Sequence, residues 1–534
     1  MGDAPAHVAV VGGGISGLVF ARELASRGIR ATVFDTGEKA VGGRASTRDD
    51  VDALGRAVSW DHSTQYFTAT PGSRFEAMAS EWLELGLVAA WPDDRVGVLD
   101  AASGTFAPFR DGATRYVGVG GLKALTSHLA DAERVDVVRP KWVGAMTPNL
   151  GGGGDHLNDP NTNTGATKVK WDLASSPGAR GEKLGTFDFV AVAHNGKCAA
   201  RLASTATSAS GASAAPKLLA SLQCAFGVRP SYELKKQRKL ILSSVWALML
   251  VFDEPLALPA ANKDMEGAHV VGSDVVAWCS NVTAKRRSAG AASLAAFGGE
   301  CWVVHSTPTY ARDNKCPQEA VPANVAAKVK KEMLAAFEVA AGLEPGTSSP
   351  AELRVQLWGA ANPLTAANVP AVFDSETNTG ACGDWCRGGP PCVEAAAESA
   401  MALADAVECV FQPAAARAPE AAAALDAARD KWSPCAGAGA LGGFPGTEAP
   451  AMPEPAPRET GSAGGRGGGR GRGGRGGGRN GGRSGGRSGG GGRGGRGGQG
   501  LRGGRGGGRG RGKKPSSVVS VSAAAYARVA TAMA

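Results

Sequence analysis

The chain has 534 residues, enough for two or three domains, and its formal net charge of +9 is unevenly distributed. Residues 464–514 contain 13 Arg, 2 Lys and no acidic residue, so the remainder of the chain carries about −6. No apolar run reaches the ~18–20 residues of a membrane span, and only six residues precede the first apolar segment. We therefore expect neither a membrane span nor a signal peptide, and a cytoplasmic location with the nucleus and organelles left open.

The first structural signal is a short apolar run that ends in a glycine turn. Residues 8–11 read Val-Ala-Val-Val, which predicts a buried parallel strand. The turn at residues 12–17 reads Gly-Gly-Gly-Ile-Ser-Gly, and apolar residues then recur at helical spacing up to Gly28, a residue suited to end a helix. Strand, glycine turn and helix in this order predict a dinucleotide-binding unit.

Each position of this turn has a separate role in holding a pyrophosphate. Gly12 allows the tight turn, Gly14 lets the phosphates approach the backbone, and Gly17 lets helix and strand pack closely. Ile15 and Ser16 open the helix, where free N–H groups and the positive end of the helix dipole face the phosphates. A glycine-rich chain can match such a motif by accident, so the residues that follow must show whether this turn belongs to a dinucleotide-binding unit.

Residues 29–34 predict a second strand, which ends at Asp35, 23 positions after Gly12. An acid at about this distance accepts hydrogen bonds from a ribose and disfavours a 2′-phosphate. The turn Gly42-Gly43-Arg44 follows, and a flexible turn at Gly43 would let the Arg44 guanidinium lie along a pyrophosphate. A solvated surface arginine is the alternative interpretation, but the two motifs together favour FAD over NAD.

Together with residues 60–69, Trp-Asp-His-Ser-Thr-Gln-Tyr-Phe-Thr-Ala, the chain resembles the renalase-like FAD-dependent oxidoreductases, in the form found in plants and algae. These proteins are relatives of the amine oxidase and phytoene desaturase flavoproteins. The family reads Asp-x-Gly-Ala-Gln-Tyr-Phe-Thr-Ala here, against the flavin, whereas this chain has Ser63-Thr64 in place of Gly-Ala. The resemblance implies that Gln65 and Tyr66 contact the cofactor; from the residues alone, an ordinary strand with a buried aromatic is the alternative.

The resemblance continues through the middle of the chain. Residues 115–122, Arg-Tyr-Val-Gly-Val-Gly-Gly-Leu, match a family segment that precedes a helix. Strands are expected at residues 135–138 and 142–143, and the resemblance implies that Val143 touches the adenine. Residues 187–193 predict the strand that closes the FAD-binding sheet. His194 follows it, either as a base near the flavin or, as we prefer, in a structural role.

The second strong signal is a late Gly-Asp pair, Gly383-Asp384, followed by an alanine-rich helix at residues 393–410. The resemblance implies that the Asp384 carboxylate binds ribityl or phosphate-side hydroxyls and that the helix, beginning at Val393, points at the pyrimidine end of the flavin. The nearby cysteines at positions 382, 386 and 392 fit no common zinc spacing, so no metal site is predicted. No residue pattern demands a covalent flavin.

The predicted fold class is α/β, with a Rossmann-like FAD-binding domain interleaved with a mixed-sheet α+β substrate domain. Strands at residues 243–252, 275–279 and 301–306 and a helix at 323–341 suit the substrate domain. The predicted FAD-binding segments are 1–75, 115–200 and 351–411, and the substrate-domain segments are 76–114 and 201–350. An Ala/Pro-rich linker at 412–463, an Arg-Gly-Gly tract at 464–514 and a short tail at 515–534 complete the chain.

These features predict a non-covalent FAD enzyme that takes a hydride at flavin N5 from a small dihydronicotinamide- or amine-like reductant and passes electrons to an acceptor such as O2. An amine or polyamine oxidase is the alternative, and it would need a lysine beside the flavin and an aromatic cage. No catalytic acid or base is assigned. The Arg-Gly-Gly tract is expected to be disordered, and it is either a non-specific RNA contact or a solvated spacer. An alternative function of another class is therefore an RNA-associated protein that acts through this tract.

Overall fold

A computed structural model describes residues 6–149, 169–226, 240, 242–291, 298–363, 366–387 and 391–411. The predicted loop at 150–167, the linker, the Arg-Gly-Gly tract and the tail therefore lie outside the described residues. No helix within the described ranges is both long enough and apolar enough to cross a membrane.

The described residues form twenty strands, nine α-helices and two short 3-10 helices at Gly43–Ala45 and Asp93–Arg95. The strands are β1 (His7–Val11), β2 (Arg30–Phe34), β3 (Thr47–Val51), β4 (Ala57–Asp61), β5 (Val88–Trp91), β6 (Val96–Asp100), β7 (Thr105–Pro108), β8 (Arg115–Gly118), β9 (Val135–Val138), β10 (Ala145–Asn149), β11 (Lys170–Ala174), β12 (Lys183–Phe187), β13 (Phe189–Val192), β14 (Val245–Phe252), β15 (Gly267–Val271), β16 (Val276–Asn281), β17 (Glu300–Ser306), β18 (Glu352–Trp358), β19 (Val372–Asp374) and β20 (Thr379–Ala381). The helices are α1 (Ile15–Ser26), α2 (Arg74–Glu84), α3 (Lys123–Ala130), α4 (Lys197–Ser204), α5 (Pro216–Phe226), α6 (Val282–Ser288), α7 (Pro308–Asp313), α8 (Ala323–Ala340) and α9 (Val393–Phe411).

The first sheet has six strands in the order β19–β20–β13–β1–β2–β9. The strands from β20 to β9 run parallel, and β19 is antiparallel to β20 at the edge. Alternate residues of β1 pack on opposite faces of this sheet. Val8 and Val10 pack with α1, α3 and α9, while Ala9 and Val11 pack with α4, α5 and β11. Burial on both faces explains why residues 8–11 of this strand are all apolar.

The second sheet has seven strands in the order β18–β14–β17–β16–β15–β6–β7. It is antiparallel except where β15 runs parallel to β6. Helix α8 covers it with Val329, Met333 and Phe337, which are buried at its helical spacing. Smaller sheets join β10–β11–β12, β3–β4 and β5–β8.

Most predicted elements form close to their expected limits, and the predicted α/β fold class is confirmed. The expected strand at residues 142–143 is wrong. The backbone N–H of Lys141 bonds to Asp35 and that of Gly144 to Ala174, so residues 142–143 form the connection between two sheets and pairing begins only at β10. Helix α2 ends at Glu84, shortly before Gly86 adopts φ +67°.

The strands of the two large sheets alternate along the chain, as the interleaved architecture predicts. Strand β18 pairs in the seven-stranded sheet, although residues 351–411 were assigned to the FAD-binding part. The domain limits themselves stay a prediction.

Candidate functional site

A cavity of about 440 Å³ opens at the carboxyl ends of β1, β2 and β13. Residues 11–16, 34–36 and 193–198, which directly follow or end these strands, line it together with residues 42–45 and 141–143. This edge of a parallel sheet is where open α/β folds bind their ligands, because the helix N-termini converge there.

Two of the predicted turn glycines are required by the packing of the protein itself. A Cβ on Gly17 would lie 1.9 Å from the Gly12 carbonyl oxygen, and one on Gly12 would lie 2.9 Å from the Ala193 carbonyl oxygen. Gly12 also has φ +119°, a conformation that side chains other than hydrogen rarely allow. Gly17 therefore lies beneath the turn and does not line the cavity, in keeping with its predicted packing role.

Gly14 is different, because nothing in the protein requires its missing side chain. Its backbone is extended, with φ −81° and ψ −177°, and among the described residues, its two chain neighbours aside, the nearest atom to a Cβ there would be the Gly42 carbonyl oxygen at 3.9 Å. Gly14 is also the N-cap of α1, without a side-chain cap. Above Gly14 the protein thus leaves open space beside the uncapped start of a helix, which is a cradle for an anionic group.

Asp35 lies at the end of β2 and lines the cavity, as predicted. Its two carboxylate oxygens accept hydrogen bonds from the backbone N–H groups of Gly13 at 2.8 Å and Gly37 at 2.7 Å. Each oxygen keeps a further lone pair, since a carboxylate offers about four acceptor positions. The carboxylate is therefore oriented by the turn and still able to accept ribose hydroxyls.

Arg44 and Asp384, two separately predicted site residues, form one ion pair at the cavity wall. Arg44 Nη1 and Nη2 donate to the two Asp384 oxygens at 2.7 and 2.8 Å, and Nη1 also donates to the Ala361 carbonyl at 2.7 Å. The Asp384 side chain is 3% exposed and that of Arg44 26%. The guanidinium fork expected on a pyrophosphate is thus bound to Asp384, and the pair joins the turn after β2 to the loop before α9.

The remaining predicted residues divide between the lining and the protein interior. Val143 and Val393 line the cavity, as do Ile15, Ser16 and Gly43. Gly383 lies outside the lining, and its N–H donates to Ser399 Oγ at 3.2 Å.

Gln65 and Tyr66 also lie outside the lining, and both face the second sheet. Gln65 donates to the carbonyl oxygens of Asp61 and Ser63 and accepts from Ser280. The Tyr66 hydroxyl lies 3.2 Å from His269 Nε2. The residue of this segment that lines the cavity is Thr64, which the sequence marked only as a departure from the family.

Several lining residues had weak sequence signals or none. Trp142 lies beside Val143, and its buried indole nitrogen has no hydrogen-bond partner. Trp358, at the end of β18, is part of the cavity wall. His194 lines the cavity too, and burial lowers its pKa. Gln318 comes from the connection between α7 and α8, where no motif points to a site.

A buried charge cluster lies behind the segment that carries Thr64. Lys285 Nζ is 3.0 Å from Asp61 Oδ2 and 3.1 Å from the Gln65 carbonyl oxygen, and Arg286 Nη2 is 3.6 Å from Asp61 Oδ1. Burial alone would raise the pKa of Asp61, but Lys285 and Arg286 outweigh it and hold that pKa well below its usual range. This cluster ties the segment to α6, and Lys285 does not line the cavity.

The cysteines near the late Gly-Asp pair are free thiols. Burial raises the pKa of Cys386 and of Cys392 to about 12, so both are protonated and unreactive at neutral pH. Among the described residues, no group of three His, Cys, Asp or Glu side chains is arranged to hold a metal ion.

Residues 10–82 match the family model described as an NAD(P)-binding Rossmann-like domain. This part of the chain is a Rossmann-like domain. Among solved structures, the chain is similar to putrescine oxidase bound to putrescine, with 12% identity over 75% of this chain and 98% of that one and a TM-score of 0.45. It is also similar to reduced UDP-galactopyranose mutase, with 9% identity over 76% and 94% of the two chains and a TM-score of 0.47.

Proposed function

We propose that this protein is a non-covalent FAD-dependent oxidoreductase. The observation that carries the proposal is one cavity that includes the open space above Gly14 and is also lined by Asp35 and by the Arg44–Asp384 pair. A dinucleotide needs such an arrangement, with an acid for the ribose, a bare backbone for the pyrophosphate and a further wall for the second half of the ligand. The Rossmann-like match at residues 10–82 supports it.

The residues of the chain would bind and orient the cofactor. Asp35 accepts hydrogen bonds from the ribose, the first N–H groups of α1 face the pyrophosphate, and Trp142 and Val143 form an apolar surface for the adenine. The N-terminus of α9, at Val393, also lines the cavity and brings the positive end of a helix dipole to it. When bound, FAD supplies the two-electron acceptor that the side chains themselves lack.

Within this class, we favour a renalase-like enzyme that oxidises a dihydronicotinamide-like reductant, with O2 as a possible acceptor. The alternative, an amine or polyamine oxidase, requires a lysine beside the flavin. The fully buried Lys285 is engaged by Asp61 and lies outside the cavity lining, while the lining residue Lys141 is paired with Glu182 at 2.9 Å. Lys197 also lines the cavity, so the preference for the renalase-like assignment rests on the sequence resemblance, and the titration with amines decides between the two.

The test is an absorbance spectrum of the purified full chain, before and after heat release of any chromophore. Near-equimolar flavin bands with FAD in the supernatant are the expected result. Anaerobic titration with dihydronicotinamides should then bleach the flavin, and titration with amines should not. A colourless protein that fails to take up added FAD would overturn the proposal, and bleaching by amines alone would favour the alternative.

We also propose that residues 464–514 contact RNA without sequence preference. Their 13 Arg and 2 Lys, with no acid between them, can neutralise phosphates over many nucleotides. Deleting these residues should abolish binding to a single-stranded poly(U) 30-mer while leaving FAD content and turnover unchanged. Full RNA binding by the deletion variant would show that the tract is only a spacer.

A further inference from the structure

A second cavity, of about 740 Å³, adjoins the first one. The two cavities share five lining residues, which are Gly196, Lys197, Gln318, Gly359 and Ala360. A ligand in the second cavity would therefore lie against the same wall as the cofactor in the first.

The shared wall is held in place by hydrogen bonds between distant parts of the chain. The Gly359 N–H donates to Gln318 Oε1 at 2.8 Å, and Lys315 Nζ donates to the Gly359 carbonyl at 3.2 Å. The Ser244 hydroxyl donates to the same carbonyl at 2.9 Å. The connection between α7 and α8 is thus fastened to the end of β18, and both cavities have a defined boundary there.

The lining of the second cavity combines two kinds of residue. Phe226, Leu240 and Leu242 are apolar. Lys197 and Lys315, both exposed, are cationic, and Glu319 is the one acidic residue among the described lining residues.

Neither lysine is neutralised within the described part of the chain. Lys315 donates to a neutral carbonyl, and Lys197 has no ion pair there. An anionic group is attracted to such a pair of cations, and an ammonium group is repelled by it.

We propose that this second cavity binds a small amphipathic anion, with its carboxylate or phosphate at Lys197 and Lys315 and its apolar body against Phe226. This inference deepens the proposed function and rests on it in one respect, namely that the anion is the reductant and that its cavity adjoins the cofactor cavity. It predicts an anionic substrate class and excludes a simple amine.

The experiment uses the full chain loaded with FAD and three probes: 4-phenylbutyrate, phenyl phosphate and 4-phenylbutylamine. Binding is measured by isothermal titration and by the change in the flavin absorbance. Both anions should bind, and the amine, which has the same body as phenylbutyrate, should not bind at the same concentrations. Binding by phenyl phosphate alone would identify a phosphate-bearing ligand, and binding by phenylbutyrate alone a carboxylate.

Three single substitutions locate the binding to the cavity. Lys315→Met and Lys197→Met should each weaken anion binding about fivefold, the effect of one unit charge at ~4 Å in water. Lys331→Met, an exposed lysine of α8 outside both linings, is the matched control and should leave binding unchanged. All variants keep the arginine-rich tract, so any binding of the probes to that tract cancels in the comparison.

Equal binding of the amine and the carboxylate would overturn the inference. Equal weakening by Lys331→Met and Lys315→Met would do the same, because the effect would then be one of net charge. The proposed function fails separately, on absence of FAD from the wild-type protein. If FAD is present and no probe binds, only this inference is wrong.

Discussion

Substituting Gly14 by alanine tests the cofactor site without removing any polar contact. The backbone there has φ −81° and ψ −177°, which alanine adopts readily, and the Gly42 carbonyl oxygen would lie 3.9 Å from the new Cβ. The methyl group therefore fits the folded protein and projects into the space assigned to the pyrophosphate.

The expected effects on stability and on binding differ in size. Alanine is a poorer N-cap than glycine, at a cost of up to about 1 kcal/mol, but it loses less backbone entropy on folding, which offsets about 0.4–1 kcal/mol. We therefore expect the free energy of unfolding to change by less than about 1 kcal/mol. Crowding a packed ligand with one methyl group costs about 1–3 kcal/mol, which weakens FAD binding about 5- to 150-fold.

The assay is titration of the apoprotein with FAD, followed by flavin fluorescence, alongside urea unfolding of the same sample. Gly298→Ala is the matched control, because a Cβ there has no neighbour within 4 Å and the residue has no positive φ. Gly17→Ala should instead fail to fold, since its Cβ would lie 1.9 Å from the Gly12 carbonyl oxygen. Wild-type FAD affinity in Gly14→Ala would refute the placement of the pyrophosphate.

Asp384→Ala should abolish FAD retention, because it removes the partner of the Arg44 guanidinium at the cavity wall. Retention is measured as flavin absorbance per protein. Asp405→Ala, which breaks a surface ion pair with Arg74, is the control and should retain FAD. Lys285→Met should lower the free energy of unfolding by about 3–5 kcal/mol, because the buried Asp61 would keep only the more distant Arg286 as a cationic partner. The double variant with Asp61→Asn should recover part of that loss, measured by urea unfolding. Burial lowers the pKa of His62 to about 4 and those of His269 and His305 to about 3. In the unfolded chain the pKa of a histidine is about 6.5. Below about pH 6.5 the unfolded chain therefore binds more protons than the folded one. The free energy of unfolding that these buried histidines contribute should be at its full value above about pH 6.5. It should fall toward pH 4 by about 1.4 kcal/mol per pH unit for each histidine. A urea midpoint that does not change with pH in this range would contradict the burial of these rings.

Some features of this protein could be predicted from the sequence because they depend only on interactions between residues close together in the chain. The glycine turn, Asp35 after the second strand, and Gly28 at the end of α1 each depend on a few neighbouring residues and on backbone conformation. The apolar run of β1 likewise predicts burial on both faces, since nothing polar in it could face water.

The orientation of residues 65–66 could not be predicted in the same way. Alternation within an extended segment places neighbouring side chains on opposite sides but does not say which structure covers each side. The second sheet, formed mostly by residues more than 180 positions later, provides Ser280 and His269 as partners for Gln65 and Tyr66. Only Thr64 is left to line the cavity.

By itself, the sequence determined that this chain has a glycine turn between its first strand and helix, an acid after its second strand and a late Gly-Asp pair, because these are short patterns with their own conformational requirements. Only the tertiary structure decided that Arg44 and Asp384, 340 positions apart, neutralise one another at the cavity wall. It also decided that a second, lysine-bearing cavity adjoins the first. Pairings of this kind depend on how the strands of two sheets are ordered in space, and no local pattern of residues encodes that order.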